Sequence, residues 1–107
     1  ASIADNLKKY IDEHYREEIS LEFLAEQFHF SREYIGRIFR AKHGFAVYEY
    51  ILQVRMKQAV ELLRNPKLTL AVIADFLGYS NANYFSKAFR RFYGISPSDY
   101  RNQNFRQ

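Results

Sequence analysis

The chain has 107 residues, of which 48% are hydrophobic and 26% charged, and its net charge is +4. This length corresponds to one domain, or to two very small ones that share a core. No apolar run reaches the ~20 residues of a membrane-spanning helix, and the absence of cysteine excludes disulfides, thiolate catalysis and cysteine-ligated zinc.

The spacing of apolar residues predicts an all-helical chain, since neither strand-like alternation nor a hairpin turn is visible. Seven helices are predicted, spanning residues 2–15, 21–28, 32–43, 47–64, 70–77 and 81–93, with a short seventh helix that begins at Pro97. The predicted N-caps are Ser2, Ser20, Ser31, Thr69, either Ser80 or Asn81, and Ser96. Gly44 and Gly94 are predicted to end their helices in the left-handed conformation.

The second half of the chain repeats the first. At an offset of 49 residues, Leu21, Ala25, Phe30 and Ser31 match, in that order, Leu70, Ala74, Tyr79 and Ser80. After one inserted residue the offset is 50, and the matching residues are Tyr34, Phe39, Arg40, Gly44 and Tyr50 with Tyr84, Phe89, Arg90, Gly94 and Tyr100. A short helix, a turn and a longer helix occur twice, which predicts two helix-turn-helix units.

Positive charge follows the same repeat. Residues 1–30 carry a net charge of −4 and residues 31–64 carry +4, whereas residues 65–80 are neutral and residues 81–107 carry +4. The two positive blocks therefore begin at the longer helix of each predicted unit. A modest basic excess is common among proteins, but this placement favours a nucleic-acid partner.

Each longer helix has an apolar stripe and an opposite polar face. The stripes are Tyr34, Ile35, Ile38 and Phe39, and Tyr84, Phe85, Ala88, Phe89 and Phe92, and they are expected to supply much of an aromatic core. The opposite faces are Glu33, Gly36, Arg37 and Arg40, and Asn83, Ser86, Lys87 and Arg90. Such side chains suit the edges of bases in a major groove. The alternative is a solvated basic face, which the repetition of the layout makes less favoured.

Gly36 lies inside a helical pattern, where glycine costs about 1 kcal/mol relative to alanine. One hypothesis is that the missing side chain allows close approach to DNA, or that no base is read there. The alternative is that Gly36 relieves crowding against another helix. Glu33 either accepts a hydrogen bond from a cytosine amino group or lies in solvent.

The fourth predicted helix is apolar around most of its circumference, with one exposed row formed by Glu49, Gln53, Lys57 and Glu61. A helix of this kind is expected to be covered from more than one side. We interpret it as a rigid linker of roughly 27 Å with one helix-turn-helix unit at each end. Two recognition helices about one DNA turn apart, roughly 34 Å, would then occupy successive major grooves.

The second half of the chain resembles the C-terminal domain of AraC/XylS-type transcription regulators. The residues that carry this resemblance are YFSKAFRR at 84–91, GISP at 94–97 and Tyr100-Arg101, together with Ile73-Ala74, Gly78-Tyr79, Arg55, Ala59, Leu62 and Leu63. The resemblance implies a seven-helix DNA-binding domain that covers nearly the whole chain. Its parts would be a first helix-turn-helix unit at 1–45, a linker helix at 46–65 and a second unit at 66–107.

The resemblance also implies roles for individual residues. The first major groove would be contacted by Arg32, Glu33, Gly36 and Arg37, and the second by Ala82, Asn83, Ser86 and Lys87. Phosphates would be contacted by Arg40 and Arg90, and at the helix N-termini capped by Ser20 and Thr69. Arg55 would reach a phosphate or pair with an internal carboxylate. His29 departs from the family pattern because it stands where a glycine is common.

No enzyme is expected, because His14, His29 and His43 form no metal-ligand pair and no phosphate loop or nucleophile motif is present. His14 and His43 are expected at the surface near helix ends. No metal site and no cofactor are expected. The main alternative to DNA binding is a helical protein-interaction module that uses its acidic first helix as the contact surface.

The resemblance further implies a place in the cell and a set of partners. We expect a bacterial, cytoplasmic regulator that binds double-stranded DNA in a sequence-specific manner and contacts RNA polymerase. Neither a membrane contact nor a small-molecule site is expected in this part of the protein. A sensor or receiver domain is expected on the N-terminal side, which would make this chain the output domain of a longer protein.

Overall fold

The computed structural model describes residues 2–105, and this part of the chain contains seven α-helices and no β-strand. The helices are α1 (Ile3–His14), α2 (Leu21–Phe28), α3 (Arg32–His43), α4 (Val47–Leu63), α5 (Leu70–Leu77), α6 (Ala82–Tyr93) and α7 (Pro97–Asn104). The predicted all-helical fold is confirmed. The bounds of α2, α3 and α5 agree with the predicted ones. Those of α4 and α6 differ by one residue at one end, and those of α1 differ by one residue at each end.

Side-chain caps explain where six of the helices begin. The capping residues are Ser2, Ser20, Ser31, Thr69, Asn81 and Ser96, and each accepts a hydrogen bond from the backbone N–H three residues later. Such a bond satisfies one of the backbone donors that a helix N-terminus leaves unpaired. Of the two predicted N-caps for α6, Ser80 and Asn81, the structure shows Asn81: its Oδ1 accepts a hydrogen bond from the Tyr84 amide at 2.9 Å. Asn81 therefore corresponds to Ser31 at an offset of 50, and Ser80 is the inserted residue.

The chain forms two compact units, and the boundary between Val54 and Arg55 falls inside α4. The first unit contains α1, α2, α3 and the first half of α4. Its core cluster of buried residues consists of Leu7, Ile11, Leu24, Ala25, Ile35, Phe39, Val47 and Ile51. Burial of large apolar side chains is the dominant favourable contribution to folding. The prediction of a separate linker segment at 46–65 remains a prediction, and in the structure α4 supplies core residues to both units.

The second unit repeats the first more completely than the sequence matches suggest. Its buried residues are Met56, Ala59, Leu63, Ile73, Ala74, Leu77, Phe85, Phe89 and Pro97. At an offset of 52, the buried residues Ala4, Leu7 and Ile11 of α1 correspond to Met56, Ala59 and Leu63 of α4. The second half of α4 therefore supplies to the second unit what α1 supplies to the first. In the same way α7 corresponds to the first half of α4, with Pro97 buried where Val47 is buried.

Three aromatic residues are more exposed than predicted. Tyr84 and Phe92 were expected in the apolar stripe of α6, but they are 58% and 41% exposed, and Tyr48 of α4 is 70% exposed. The stripe of α6 is narrower than the pattern suggests, because Phe85 and Phe89 alone reach full burial there. The fourth helix was expected to be covered from more than one side, with Glu49, Gln53, Lys57 and Glu61 as its exposed row; Tyr48 lies outside that row and is nevertheless exposed.

The expectation that His43 lies at the surface is also wrong. Its side chain is only 10% exposed, and its Nε2 donates a hydrogen bond to the Ala4 carbonyl oxygen at 3.1 Å. The imidazole packs against the Phe39 ring, with 4.7 Å between the ring centroids. His43 therefore joins the end of α3 to the beginning of α1. His14 does lie nearer the surface, with Nδ1 2.7 Å from a Glu17 carboxylate oxygen.

Candidate nucleic-acid interface

The turns that precede α3 and α6 have the same construction. His29 and Gly78 end α2 and α5 in the left-handed conformation, with φ of 60° and 96°. The next residue closes each turn, since the Phe30 amide donates to the Ala25 carbonyl at 3.0 Å and the Tyr79 amide donates to Ala74 at 2.9 Å. This is the bonding that ends many helices at a left-handed residue. His29 thus adopts the left-handed conformation at the position where a glycine is common in the family.

The predicted first recognition face lies on α3. Arg32, Glu33, Arg37 and Arg40 are exposed on it. Gly36 is half-buried beside Leu21 of α2, and a Cβ atom at this position would lie 3.7 Å from Leu21 Cδ2. That distance is an ordinary van der Waals contact. Crowding against α2 therefore does not require glycine at this position.

Arg32 is held by two carboxylates. Its Nη1 lies 2.7 Å from a Glu22 carboxylate oxygen on α2, and its Nε lies 3.3 Å from Glu33. Hydrogen bonds from their own backbone N–H groups, followed by those from Arg32, hold the pKa values of Glu22 and Glu33 below their ordinary range. The two glutamates in turn raise the pKa of Arg32. Glu22 was not predicted as part of the site, because it lies ten residues before Arg32 and the turn brings the two together.

Aromatic rings support the first recognition face. The Phe30 and Tyr34 ring centroids are 5.1 Å apart, and the Arg37 guanidinium lies 5.4 Å from the Tyr34 centroid. At this distance a guanidinium is attracted by the negative face of the ring. Tyr34 therefore lies half-buried beneath Arg37 and next to Phe30, and it limits the conformations that the Arg37 side chain adopts.

The predicted second recognition face lies on α6. Asn83, Lys87 and Arg90 are exposed, and Ala82 and Ser86 are half-buried. Between residues 31–50 and 81–100 the burial classes differ at two pairs of positions, Arg32 with Ala82 and Tyr34 with Tyr84. The two predicted faces are therefore presented in the same way. The two units differ in charge near these faces. Glu22 and Glu33 lie in the first turns of α2 and α3, whereas no acidic residue lies in the first turn of α5 or α6.

The N-termini of α2 and α5 are already capped by side chains. The Ser20 hydroxyl accepts a hydrogen bond from the Phe23 amide at 3.1 Å, and the Thr69 hydroxyl accepts one from the Val72 amide at 3.1 Å. A phosphate at either terminus would be bound by the remaining amides of the first turn and by the helix dipole. The hydroxyl groups thus order these amides and are themselves occupied as acceptors.

Arg55 is placed beside the second turn. Its guanidinium lies 5.1 Å from the centroid of the Tyr79 ring. The sequence left open whether Arg55 reaches a phosphate or an internal carboxylate, and this stacking was not foreseen. The Tyr79 ring also packs against Phe85, at 5.8 Å between centroids. Arg55 thereby supports the turn that begins α6.

Within residues 2–105 no group of His, Asp and Glu side chains is arranged to hold a metal ion. No helix in the same range is both long enough and apolar enough to span a bilayer. The family model for a helix-turn-helix domain matches residues 24–103. The chain belongs to the AraC-type family of helix-turn-helix proteins. This family consists of DNA-binding transcription regulators and not of enzymes.

Individual AraC-type relatives agree with this assignment. The Msm operon regulatory protein of Streptococcus mutans is 40% identical over 99 residues, which cover 92% of this chain and 36% of that protein. The transcriptional activator RhaR of Pectobacterium carotovorum is 39% identical over 82 residues, which cover 77% of this chain and 29% of that protein. The chain thus spans about a third of the length of the curated relatives it matches.

Solved structures show the same AraC-type fold. The C-terminal domain of AraT, a response regulator from Geobacillus stearothermophilus, has a TM-score of 0.93 at 31% identity and covers 98% of this chain and 88% of that one. The DNA-binding domain of AdpA, solved in complex with a target DNA, has a TM-score of 0.87 at 27% identity and covers 96% and 93%. Family membership decides against the protein-interaction module that the acidic first helix had suggested.

Proposed function

We propose that this AraC-type domain binds double-stranded DNA in a sequence-specific manner, with α3 and α6 in successive major grooves. The observation that carries the proposal is the repetition of one site. The turns at His29 and Gly78 close with equivalent hydrogen bonds. The helix that follows each turn then exposes polar and basic side chains at matching positions.

The residues proposed to contact bases or the adjacent backbone lie on the outward side of each recognition helix. In the first groove they are Arg32, Glu33, Gly36 and Arg37, and in the second they are Ala82, Asn83, Ser86 and Lys87. Asn83 and Lys87 are the strongest candidates, because both are exposed and their side chains match adenine and guanine edges. The half-buried Ala82 and Ser86 would contribute short-range contacts to bases or sugars.

Phosphate contacts are proposed where positive charge or free amides face outward. Arg40 and Arg90 are exposed in the last turns of α3 and α6. The helix N-termini at Ser20 and Thr69 would add backbone amides. Contacts of this kind fix the orientation of the protein on the duplex and carry no sequence information.

The domain is proposed to act within a longer bacterial regulator, since the curated relatives it matches are about three times as long. We propose that a sensor or receiver domain lies on the N-terminal side, with residues 1–45, 46–65 and 66–107 acting as first unit, linker and second unit. RNA polymerase is the further proposed partner. The cytoplasm is the proposed location, because a bacterial regulator must have access to chromosomal DNA.

Selection of bound sites from a random DNA pool tests the proposal. We expect two conserved half-sites about one helical turn apart. Insertion of five base pairs between them should reduce affinity strongly, because it moves one half-site to the opposite side of the duplex. In a fluorescence titration the logarithm of affinity should fall linearly with the logarithm of salt concentration. Absence of binding at low salt would overturn the proposed function, and recovery of a single half-site would overturn the two-groove arrangement.

A further inference from the structure

The two units differ most in charge at the N-termini of the helices that are proposed to face DNA. The first unit carries Glu22 in the first turn of α2 and Glu33 in the first turn of α3. Their counterparts in the second unit are Ala71 and Asn83, and the counterpart of Arg32 is Ala82. The cluster formed by Glu22, Arg32 and Glu33 is therefore a property of the first unit.

This cluster occupies the groups that a phosphate would use. Nη1 of Arg32 lies 2.7 Å from Glu22, and Nε lies 3.3 Å from Glu33. The carboxylate of Glu22 lies at the N-terminus of α2, where the helix dipole attracts an anion. All three side chains are more than half exposed, so the ion pairs are open to exchange with another anion.

We propose that Glu22 is a specificity-determining residue, which competes with DNA phosphate for Arg32 and for the N-terminus of α2. The inference rests on the proposed DNA binding and deepens it. Binding through the first unit requires Arg32 to exchange a carboxylate for a phosphate, whereas the second unit binds without such an exchange. Glu22 therefore weakens sequence-independent contacts of the first unit. A site is bound tightly when base contacts in both grooves compensate for this competition.

The substitution Glu22→Gln should raise affinity for a random-sequence duplex by about two- to fivefold at low salt, the range that corresponds to exposed ion pairs. The salt dependence should become steeper by about 0.9, which is the slope of one additional phosphate contact. The ratio of affinities for the selected site and the random duplex should fall. Glu26→Gln is the matched control, because it removes one negative charge from an exposed position on the same helix.

The reverse substitution tests the same inference in the second unit. Ala71 is exposed in the first turn of α5, so Ala71→Glu places a carboxylate at the position that corresponds to Glu22. This change should lower affinity for both duplexes by about two- to fivefold. A glutamate in the first turn of a helix does not oppose folding, because it interacts favourably with the helix dipole.

The outcomes separate the inference from the proposed function. If the unsubstituted domain binds duplex DNA in a salt-dependent manner but Glu22→Gln behaves like Glu26→Gln, the inference fails and the function stands. If Ala71→Glu binds both duplexes as tightly as the unsubstituted domain does, the inference likewise fails and the proposed function stands. If the unsubstituted domain does not bind duplex DNA at low salt, the proposed function itself fails. Greater affinity of Glu22→Gln together with lower affinity of Ala71→Glu supports the inference.

Discussion

The Tyr50 hydroxyl in the first half of α4 donates a hydrogen bond to the Asp12 carboxylate on α1. The Tyr50 ring is stacked on Phe45, with 5.5 Å between centroids and 4° between the planes. Burial, followed by the bond to Asp12, raises the pKa of Tyr50 above its ordinary value of 10.0. This tyrosine therefore joins α1 to α4 within the first unit.

Removal of the hydroxyl in Tyr50→Phe should lower the free energy of unfolding by about 1 kcal/mol, because one hydrogen bond to a carboxylate is lost while the ring remains. The melting temperature should fall by roughly 4–8 °C for a domain of this size. Thermal unfolding followed by circular dichroism measures the change. Tyr48→Phe is the control, since Tyr48 is 70% exposed and should change stability by less than about 0.5 kcal/mol.

The raised pKa of Tyr50 also predicts how stability depends on pH. The neutral phenol is favoured in the folded state, so this contribution to stability is complete below about pH 10 and is lost as pH rises toward the folded pKa. Tyr93, whose pKa burial also raises, acts in the same direction. Tyr50→Phe should lose less stability than the unsubstituted domain above pH 10. Urea unfolding at pH 9 and pH 11 measures the free energy of unfolding of both proteins. An equal decrease in the two proteins between these pH values would contradict this prediction.

Arg101 on α7 donates hydrogen bonds to backbone carbonyl groups at and just after the C-terminus of α4. Its Nε donates to the Leu63 carbonyl at 3.1 Å, and its Nη2 donates to the carbonyls of Asn65 at 3.3 Å and Leu68 at 2.8 Å. Arg101→Ala should lower the free energy of unfolding by about 2 kcal/mol, because these acceptors lose charged donors. Arg101→Lys should recover only part of the loss, since an ammonium lacks the planar fork. Urea unfolding measures both, and a loss no larger than that of the exposed Arg91→Ala would contradict this role.

The equivalent turns give a matched pair of substitutions. His29 holds a φ of 60° and Gly78 a φ of 96° at the same position of each turn. His29→Gly should raise the free energy of unfolding by about 0.5–1 kcal/mol, because a side chain in the left-handed conformation is strained. Gly78→Ala should lower it by about 1 kcal/mol or more. Changes of the same sign in the two variants, measured by urea unfolding, would show that the turns are not equivalent.

Local patterns in the sequence were sufficient to predict most of the fold. A capping side chain, a glycine at a helix end and a helical spacing of apolar residues all act within a few residues, so the sequence alone predicts the seven helices. Burial could not be predicted as well. Tyr84 follows the helical spacing of core residues, but its exposure depends on which neighbouring element covers it.

In the proposed site, too, local features could be predicted from the sequence and tertiary contacts could not. The exposed faces of α3 and α6 follow from helical periodicity, and Arg37, Asn83 and Lys87 are exposed as predicted. Glu22 was missed because its contact with Arg32 depends on the angle between two helices, which no local pattern contains. The location of Arg55 on the Tyr79 ring was missed for the same reason. Contacts between distant residues required the tertiary structure.

The proposed division between base and phosphate contacts can be tested on α6 and α3. Asn83→Ala and Lys87→Ala should weaken binding to the selected site by about 1–3 kcal/mol and weaken binding to random DNA less, because a base contact is lost. Arg40→Ala and Arg90→Ala should weaken both equally and reduce the salt slope by about 1. Titrations on the two duplexes at several salt concentrations distinguish the classes. Identical behaviour of all four variants would contradict the division.

Substitution of Gly36 tests whether glycine is needed at this position for stability or for DNA binding. A methyl group at this position would lie in ordinary contact with Leu21, at 3.7 Å from Cδ2. Gly36→Ala should therefore raise the free energy of unfolding by about 0.5–1 kcal/mol, because alanine is the better helix former. Affinity for the selected site should nevertheless fall, since the methyl group would occupy space between α3 and the first groove. Urea unfolding and a DNA titration on the same variant measure the two effects. A stabilised variant with unchanged affinity would show that no close approach to DNA occurs at Gly36.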